Sequence, residues 1–370
     1  MANRIVTGFG GFAFSSQVNS VTVYTDDASV VLTLERVLTG LEMEVFSETY
    51  YPINGRVTLH DLASIIEEEM SSVGNCFAAF RLKAASSSGT ASSDFNILYC
   101  DRSVLDIWPG ELIRNQFLMS RRVITVTRDF PVPVCYIRPP MEYIDQELLS
   151  YHVICRLRDT GETKILFFPN GYSGYGTGYE FGTFVISHAD IMEKAASKLK
   201  KEFDLLGLTI DLGRRSLTIL YSDIRPDLRL CFSNMFNCVE LAELRGDTTT
   251  KTKVKRSEAH CSDSVVLYDQ SVEQTFEFEA DGLSLETANW LSELLASRDV
   301  RLVNRPYGDD DELMEFYPPV LITDSTSEIQ DGDDELNKVK FTYRHISPRP
   351  DAGVRRYDRT HNDTFKNQFT

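Results

Sequence analysis

One pattern is written twice along this chain, and it limits what the chain can fold into. Around Thr58 the sequence runs Gly55-Arg56-Val57-Thr58-Leu59-His60-Asp61-Leu62, and an amphipathic helix follows. A strand, a Ser-rich stretch and Phe95-Asn96-Ile97-Leu98-Tyr99-Cys100-Asp101 come next. Around Ser187 it runs Gly182-Thr183-Phe184-Val185-Ile186-Ser187-His188-Ala189-Asp190-Ile191, again leading into an amphipathic helix. That helix is followed by a strand, a tight turn at Leu212-Gly213-Arg214-Arg215 and Leu217-Thr218-Ile219-Leu220-Tyr221-Ser222-Asp223. Each copy places Ser or Thr three residues before Asp where a β pattern becomes helical. This is a capping pattern, in which a hydroxyl accepts from a free helix N–H and an acid sits at the positive helix end. Thr58 and Ser187 are therefore expected to be equivalent caps, and a duplicated module is expected on either side of them.

The first copy opens with alternating segments at Val21–Tyr24, Ser29–Glu35 and Met43–Tyr50. Its helix spaces Leu62, Ile65, Ile66 and Met70 on one stripe, with Glu67, Glu68 and Glu69 turned away. Ser86–Ser93 has the composition of a flexible linker. From Trp108 to Pro140 the pattern reads as β. The second copy opens at Tyr151–Leu157, continues through Lys164–Phe168 and carries its helix at Ala189–Phe203. A third unit differs: Leu228–Leu244 is β-prone, Thr248–Arg256 is a polar loop by composition, and strands follow at Val265–Tyr268 and Glu273–Phe278. Ser284 then caps a helix with Ala288, Leu291, Leu294 and Leu295 on its core face and Trp290 beside them.

The fold class expected is α+β, mainly β: two related β-sandwich-like modules with one helix each, then a third β domain with a helix packed on its sheet. The divisions expected are a flexible segment 1–19, modules at 20–141 and 142–226, a C-terminal β domain at 227–348 and a polar tail at 349–370. The boundary between the two modules falls at Glu142–Leu149.

Composition excludes several function classes. A net charge of −17 opposes a phosphate-binding surface, so no nucleic acid is expected; the basic runs Lys198–Lys201 and Lys251–Arg256 read as solvated faces. No apolar run reaches the roughly 20 residues that span a bilayer, so no membrane partner is expected. Met1–Ser15 lacks the charged start and apolar core of a secretory signal, so synthesis in the cytoplasm is expected. Seven cysteines without a CxxC pair read as reduced, buried thiols.

No catalytic, cofactor-binding or metal-ligating residue is assigned. Tyr172–Gly178 is glycine-rich, but it returns to a strand at Tyr179 where a P-loop needs a helix. Asp309–Glu312 and Asp331–Glu335 lack the spacing of a calcium loop. His60 and His188 stand near the two helix starts as first-turn residues. No nucleophile elbow or zinc-protease motif is present, so no enzyme and no cofactor are expected.

Several third-unit segments occur in a recognisable order: Phe236-Asn237-Cys238, Lys251–Arg256, Ala288-Asn289-Trp290, Pro319–Ser325 and Asp333–Tyr343. With Tyr51–Leu62 in front, they resemble structural tail proteins, of the distal-tail or baseplate class, in bacteriophages and prophages of Bacteroidales-type gut bacteria. The resemblance spans most of residues 20–345. It implies a non-enzymatic virion component near the tail tip, assembling as a multi-copy ring with itself and with other tail or baseplate proteins. Exposed strand edges agree with such an assembly. The alternatives are a carbohydrate-binding or adhesin-like receptor-binding protein that uses Tyr172, Tyr175 and Tyr179 to stack on a glycan, and a hydrolase on a β scaffold.

Overall fold

The computed structural model describes residues 3–38, 41–102, 107–140, 149–170, 179–261, 264–303, 318–328 and 337–346. The chain is α+β and mainly β, as its patterning predicts. The Glu142–Leu148 part of the expected boundary, the Tyr172–Gly178 loop, both acidic clusters and the polar tail lie outside the described residues.

The first unit comprises β1 (Arg4–Thr7), β2 (Phe12–Phe14), β3 (Val21–Tyr24), β4 (Val30–Leu38), β5 (Leu41–Tyr50), β6 (Arg56–Leu59), α1 (Leu62–Ser72), β7 (Phe77–Ser86), β8 (Gly89–Leu98) and α2 (Pro109–Asn115). The second comprises β9 (Val123–Thr127), β10 (Val132–Arg138), β11 (Leu149–Leu157), β12 (Thr163–Asn170), β13 (Glu180–Ile186), α3 (His188–Leu199), β14 (Phe203–Leu212) and β15 (Arg215–Ser222). The third comprises β16 (Leu228–Ser233), β17 (Val239–Leu244), β18 (Asp247–Cys261), β19 (Ser264–Leu283), α4 (Leu285–Ala296), β20 (Val300–Leu302), β21 (Pro319–Glu328) and β22 (Asn337–His345).

The first two units share one wiring. In the first, a five-stranded sheet is ordered β2-β8-β7-β4-β5; in the second, β9-β15-β14-β11-β12. The edge pairs β2–β8 and β9–β15 are parallel, and their neighbours in the sheet are antiparallel. The strand that feeds each helix pairs outside that sheet, β6 with β3 and β13 with β10. The helix leaves from the same point of both units, and 126 residues separate the N-caps Asp61 and Ser187, as they separate Phe77 from Phe203.

Hydrophobic side chains fill the space between each large sheet, its helix and the small sheet. Val30, Leu32, Leu34, Phe80 and Leu82 meet Ile66 and Met70 in the first unit. Val153, Leu208, Ile210 and Ile219 meet Ile191 and Ala195 in the second. The third sheet follows a different order, β17-β16-β20-β21-β22-β19-β18. Across it lies α4, whose Ala288, Leu291 and Leu294 pack on Phe278 and Phe341, and whose Ser284 Oγ accepts from Thr287 N at 3.2 Å.

Several expectations need correction. Residues 1–19 supply β1 and β2, because alternating Ile5, Phe12 and Phe14 have strands to pair with. Val123–Arg138 belongs to the second set of sheets, so by strand pairing the second unit starts before residue 142; β9 and β10 find partners in β15 and β13. Ser86–Ser93 is a hairpin with a two-residue turn, Ser87-Ser88, matching Gly213-Arg214 in length. Asp27 organises it, accepting from Ser88 N at 2.9 Å and from the Ser87 and Ser88 hydroxyls. A hydrogen bond from Ser86, and then these from Ser88 and Ser87, hold the Asp27 carboxyl well below the usual range. Pro109–Asn115 is a helix, opened by proline at its first position. Thr58 lies inside β6 facing Thr22, and Asp61 is the N-cap residue, without a side-chain cap bond. Ser187 does cap α3, accepting from Ala189 N at 3.2 Å.

All three units meet at one buried joint. Cys76, Cys135 and Cys238, one from each unit, lie there with Phe14, Leu98, Ile113 and Phe236. The third unit's Phe236-Asn237-Cys238 segment is a tight turn, in which Asn237 takes a positive φ of 59°. Asn237 Nδ2 donates to the carbonyls of Met70 and Asn75 at 3.3 and 3.2 Å. Asn234 Nδ2 donates to Leu118 O at 3.0 Å, and its Oδ1 accepts from Phe236 N and Cys238 N at 3.0 Å. The six cysteines whose side chains are described are buried and free. Burial pushes the thiols of Cys155 and Cys231 up to about 11 and about 12, which keeps them protonated and inert.

Candidate assembly surfaces

The titratable groups gathered in the interior serve the joint. Glu240, 2 % exposed, accepts from Ser120 N at 2.6 Å, Asn234 Nδ2 at 2.6 Å and Trp290 Nε1 at 2.9 Å. The Ser120 hydroxyl touches both Glu240 and Glu293. A hydroxyl has one proton to give, so the pair is satisfied when Glu293 carries a proton of its own. Burial pushes the Glu293 carboxyl above its usual range, and the Glu240 charge adds to the effect. Arg121 lies 3.5 Å over the Trp290 ring and closes the cluster. Each of these groups is occupied in holding Ser120 and Arg121 to the third unit.

A second buried cation is Arg215, expected in the tight turn and found wholly buried at the start of β15. Its Nη2 donates to Ile137 O at 2.9 Å and its Nε to Ile113 O, which fastens α2 and β10 to the sheet. His188 opens α3 edge-on to Tyr221, ring centroids 4.7 Å apart. Burial and the Arg128 charge lower its pKa. His60 is exposed between β6 and α1, so the two histidines have no common role. Among the described residues, no group of three or more His, Cys, Asp or Glu is placed to hold a metal ion. A 670 Å³ cavity lies where the second and third units meet, lined by Arg128, Asp129, Asp223 and Arg229. Four of its lining charges form two pairs, Arg128 with Asp223 at 3.0 Å and Arg229 with Asp129 at 2.8 Å, and Arg225 and Asp227 line it beside them.

The outward-facing surfaces are more distinctive. β18 and β19 run far past their sheet. β22 pairs with β19 only from Phe276 to Leu283, whereas β18 and β19 stay paired to Cys261 and Ser264. Lys251–Cys261 and Ser264–Thr275 thus form a two-stranded ribbon about 36 Å long, at about 3.3 Å per residue. The stretch Lys251–Arg256, expected to be a loop, is strand, because it has an antiparallel partner throughout. All six of its side chains are exposed. One ribbon face bears Lys251, Lys253 and Lys255; the other bears Thr252, Val254 and Arg256.

The two large sheets also turn their outer faces to solvent, and those faces differ. In the first unit one cross-strand row reads Glu44, Glu35, Arg81, Asp94. Arg81 binds Asp94 through two nitrogens at 2.6 and 2.9 Å, and Lys83 bridges Glu35 and Glu42 at 2.6 and 2.9 Å. In the second unit the row at the same place in the wiring reads Ile165, Ile154, Gly207, Leu220, with Thr125 at the end. The adjoining row is Phe167, His152, Thr209, Thr218, Val123. Ile165 is 66 % exposed, Phe167 50 %, Val123 48 % and Leu220 38 %. Among the described residues nothing covers these side chains.

Tyr179 does not stand on an exposed loop: its ring packs 4.6 Å from that of Phe12 and 5.9 Å from that of Phe77.

No family model matches the chain, and no curated protein matches it. Among solved structures, the FN1–FN3 domains of chicken CNTN1 align over 81 % of this chain and 91 % of theirs, at 9 % identity and a TM-score of 0.17. The full extracellular region of plexin A4 aligns over 94 % of this chain and 37 % of its own, at 10 % identity and a TM-score of 0.17. Likenesses of that size carry no argument about fold or function.

Proposed function

We propose that this chain is a non-enzymatic structural subunit that assembles in several copies, as a component of a phage tail tip or baseplate. The observation that carries the reading is the β18–β19 ribbon. A two-stranded ribbon is at best marginally stable alone in water, and this one extends for about 36 Å with no third strand among the described residues. Such an element makes physical sense when a neighbouring subunit completes it. The phage-tail assignment itself rests on the sequence resemblance described above, and the virion is the location it implies.

The interior supports the same reading. Glu240, Glu293, Arg215 and the cysteines of the joint lie where the units meet and hold them together, which is the requirement of a scaffold. The glycan-binding alternative needs Tyr172, Tyr175 and Tyr179 on one exposed surface, and Tyr179 is engaged with Phe12 and Phe77. The reading is tested by the absolute mass of the purified chain across a concentration series, alone and with the ribbon shortened by removing residues 252–274. A closed oligomer that the shortened chain cannot form is expected. A monomer at every concentration, with and without the ribbon, would overturn it.

A further inference from the structure

The outer face of the β9-β15-β14-β11-β12 sheet has the anatomy of an interface. Its two middle rows hold Ile165, Ile154, Leu220, Phe167 and Val123 with threonines between them, and contain no acidic or basic residue other than His152. A polar row borders them on one side, Ser150, Asp211 and Ser216, and the charged pair Arg156 and Asp204 borders the other. An apolar centre inside a polar rim is the arrangement of protein–protein contacts. The other unit supplies an internal control. At the same positions of the same wiring, Glu35, Arg81 and Asp94 neutralise one another and leave a face that water satisfies.

We propose that this apolar face packs against the same face of a second copy of the chain, related by a two-fold axis. Three features select that occupant. Flat faces rich in β-branched residues pack on each other about 10 Å apart, as the two layers of a sandwich do, and Ile154, Ile165, Val123, Thr125, Thr209 and Thr218 are such residues. Five strands about 4.8 Å apart and four rows about 6.7 Å apart cover roughly 600 Å² per copy. Two copies then bury about 1,200 Å², the lower bound for a stable specific contact. Finally, a chain of net charge −17 repels its own copies over most of its surface, and the neutral face is where two copies approach at least electrostatic cost. This inference rests on the multi-copy reading above and adds a symmetry to it. The assembly contains dyads, its copy number is even, and a ring built of these subunits is doubled back to back.

The test gives the second unit the charges of the first, with Ile165→Glu and Leu220→Asp in one chain, read by light scattering beside wild type. Both positions are solvent-exposed in the free chain, and an unchanged circular dichroism spectrum and melting temperature verify that the variant folds. Ser47→Glu, on the charged face of the first unit, is the control. The wild-type and control chains are expected to share one even-numbered mass. The double variant is expected to fall to half that mass, with association weakened at least about tenfold by four buried, unpaired carboxylates. An assembly that the double variant forms as well as wild type, or one with an odd copy number, overturns this inference and leaves the structural-subunit reading standing. A wild-type chain that is monomeric at every concentration overturns both, and gives the face to a different protein.

Discussion

The outer faces of the two large sheets differ although the sheets share strand order, pairing sense and helix position. Glu44, Glu35, Arg81 and Asp94 stand in one where Ile165, Ile154, Gly207 and Leu220 stand in the other. The inner faces keep one chemistry, because each must cover a helix, and the cross-strand partners Leu34 and Leu82 answer to Val153 and Leu208. The wiring of a sheet is thus set by what it buries, and its outer face is free to diverge. In one unit that face closes on itself through ion pairs. In the other it is left for a neighbour. Duplication followed by divergence of a single face would produce this pair.

The comparison can be broken first at the helices. Ile66→Ala opens a cavity under α1 and is expected to cost about 3 kcal/mol. Ile191→Ala, at the corresponding layer under α3, is expected to cost a similar amount by denaturant titration. A loss under 1 kcal/mol at either site would mean that one helix is not part of its unit's core.

The joint offers a pH test of its own. The Glu293 carboxyl has a folded pKa above its unfolded value of about 4.5. The folded state therefore holds that proton more tightly, so its contribution to stability is complete below about pH 4.5 and is lost as pH rises through the folded value. Glu293→Gln is expected to flatten this part of the stability curve, and melting temperatures between pH 4 and 8 will reveal it. An unchanged slope would remove the shared-proton account of Ser120, Glu240 and Glu293.

Smaller effects sharpen the comparison at the helix starts and on the charged face. Ser187→Ala deletes the hydroxyl bonded to Ala189 N and is expected to cost about 1 kcal/mol. Thr58→Ala removes no cap and is expected to cost less than half of that. Equal losses would restore Thr58 as a cap. Arg81→Ala breaks an exposed ion-pair network, where water and salt screen each pair, so the loss is expected to be the smallest of these. A loss that 0.5 M salt reduces is the expected signature.

Much of this architecture is legible in the sequence, and the reasons for the rest are specific. The helices at Leu62, His188 and Leu285 and most strands follow from local periodicity. Ser187 and Ser284 are readable as caps because a β pattern stops directly before each. Thr58 misleads because the strand runs to Leu59 and the chain makes its turn at His60-Asp61. Ser86–Ser93 looks like a linker because nothing local reveals that Asp27 will fasten its turn. The second unit's early start is hidden because β9 pairs in parallel with β15, about 90 residues later. Arg215 and Glu240 look like surface charges; only the tertiary fold supplies the carbonyls, hydroxyl and indole that make their burial tolerable. The outer-face contrast is present in the sequence, but it appears only when the two sheets are aligned strand by strand.

Hydroxyl-radical footprinting of the assembled and dissociated chain tests the central contrast most directly, because it reads side chains on both outer faces at once. On assembly, the account predicts that oxidation of Ile165, Phe167 and Leu220 falls several-fold, while that of Val31, exposed on the outer face of the first unit, stays constant. Equal protection of both faces, or protection confined to the first, would contradict it.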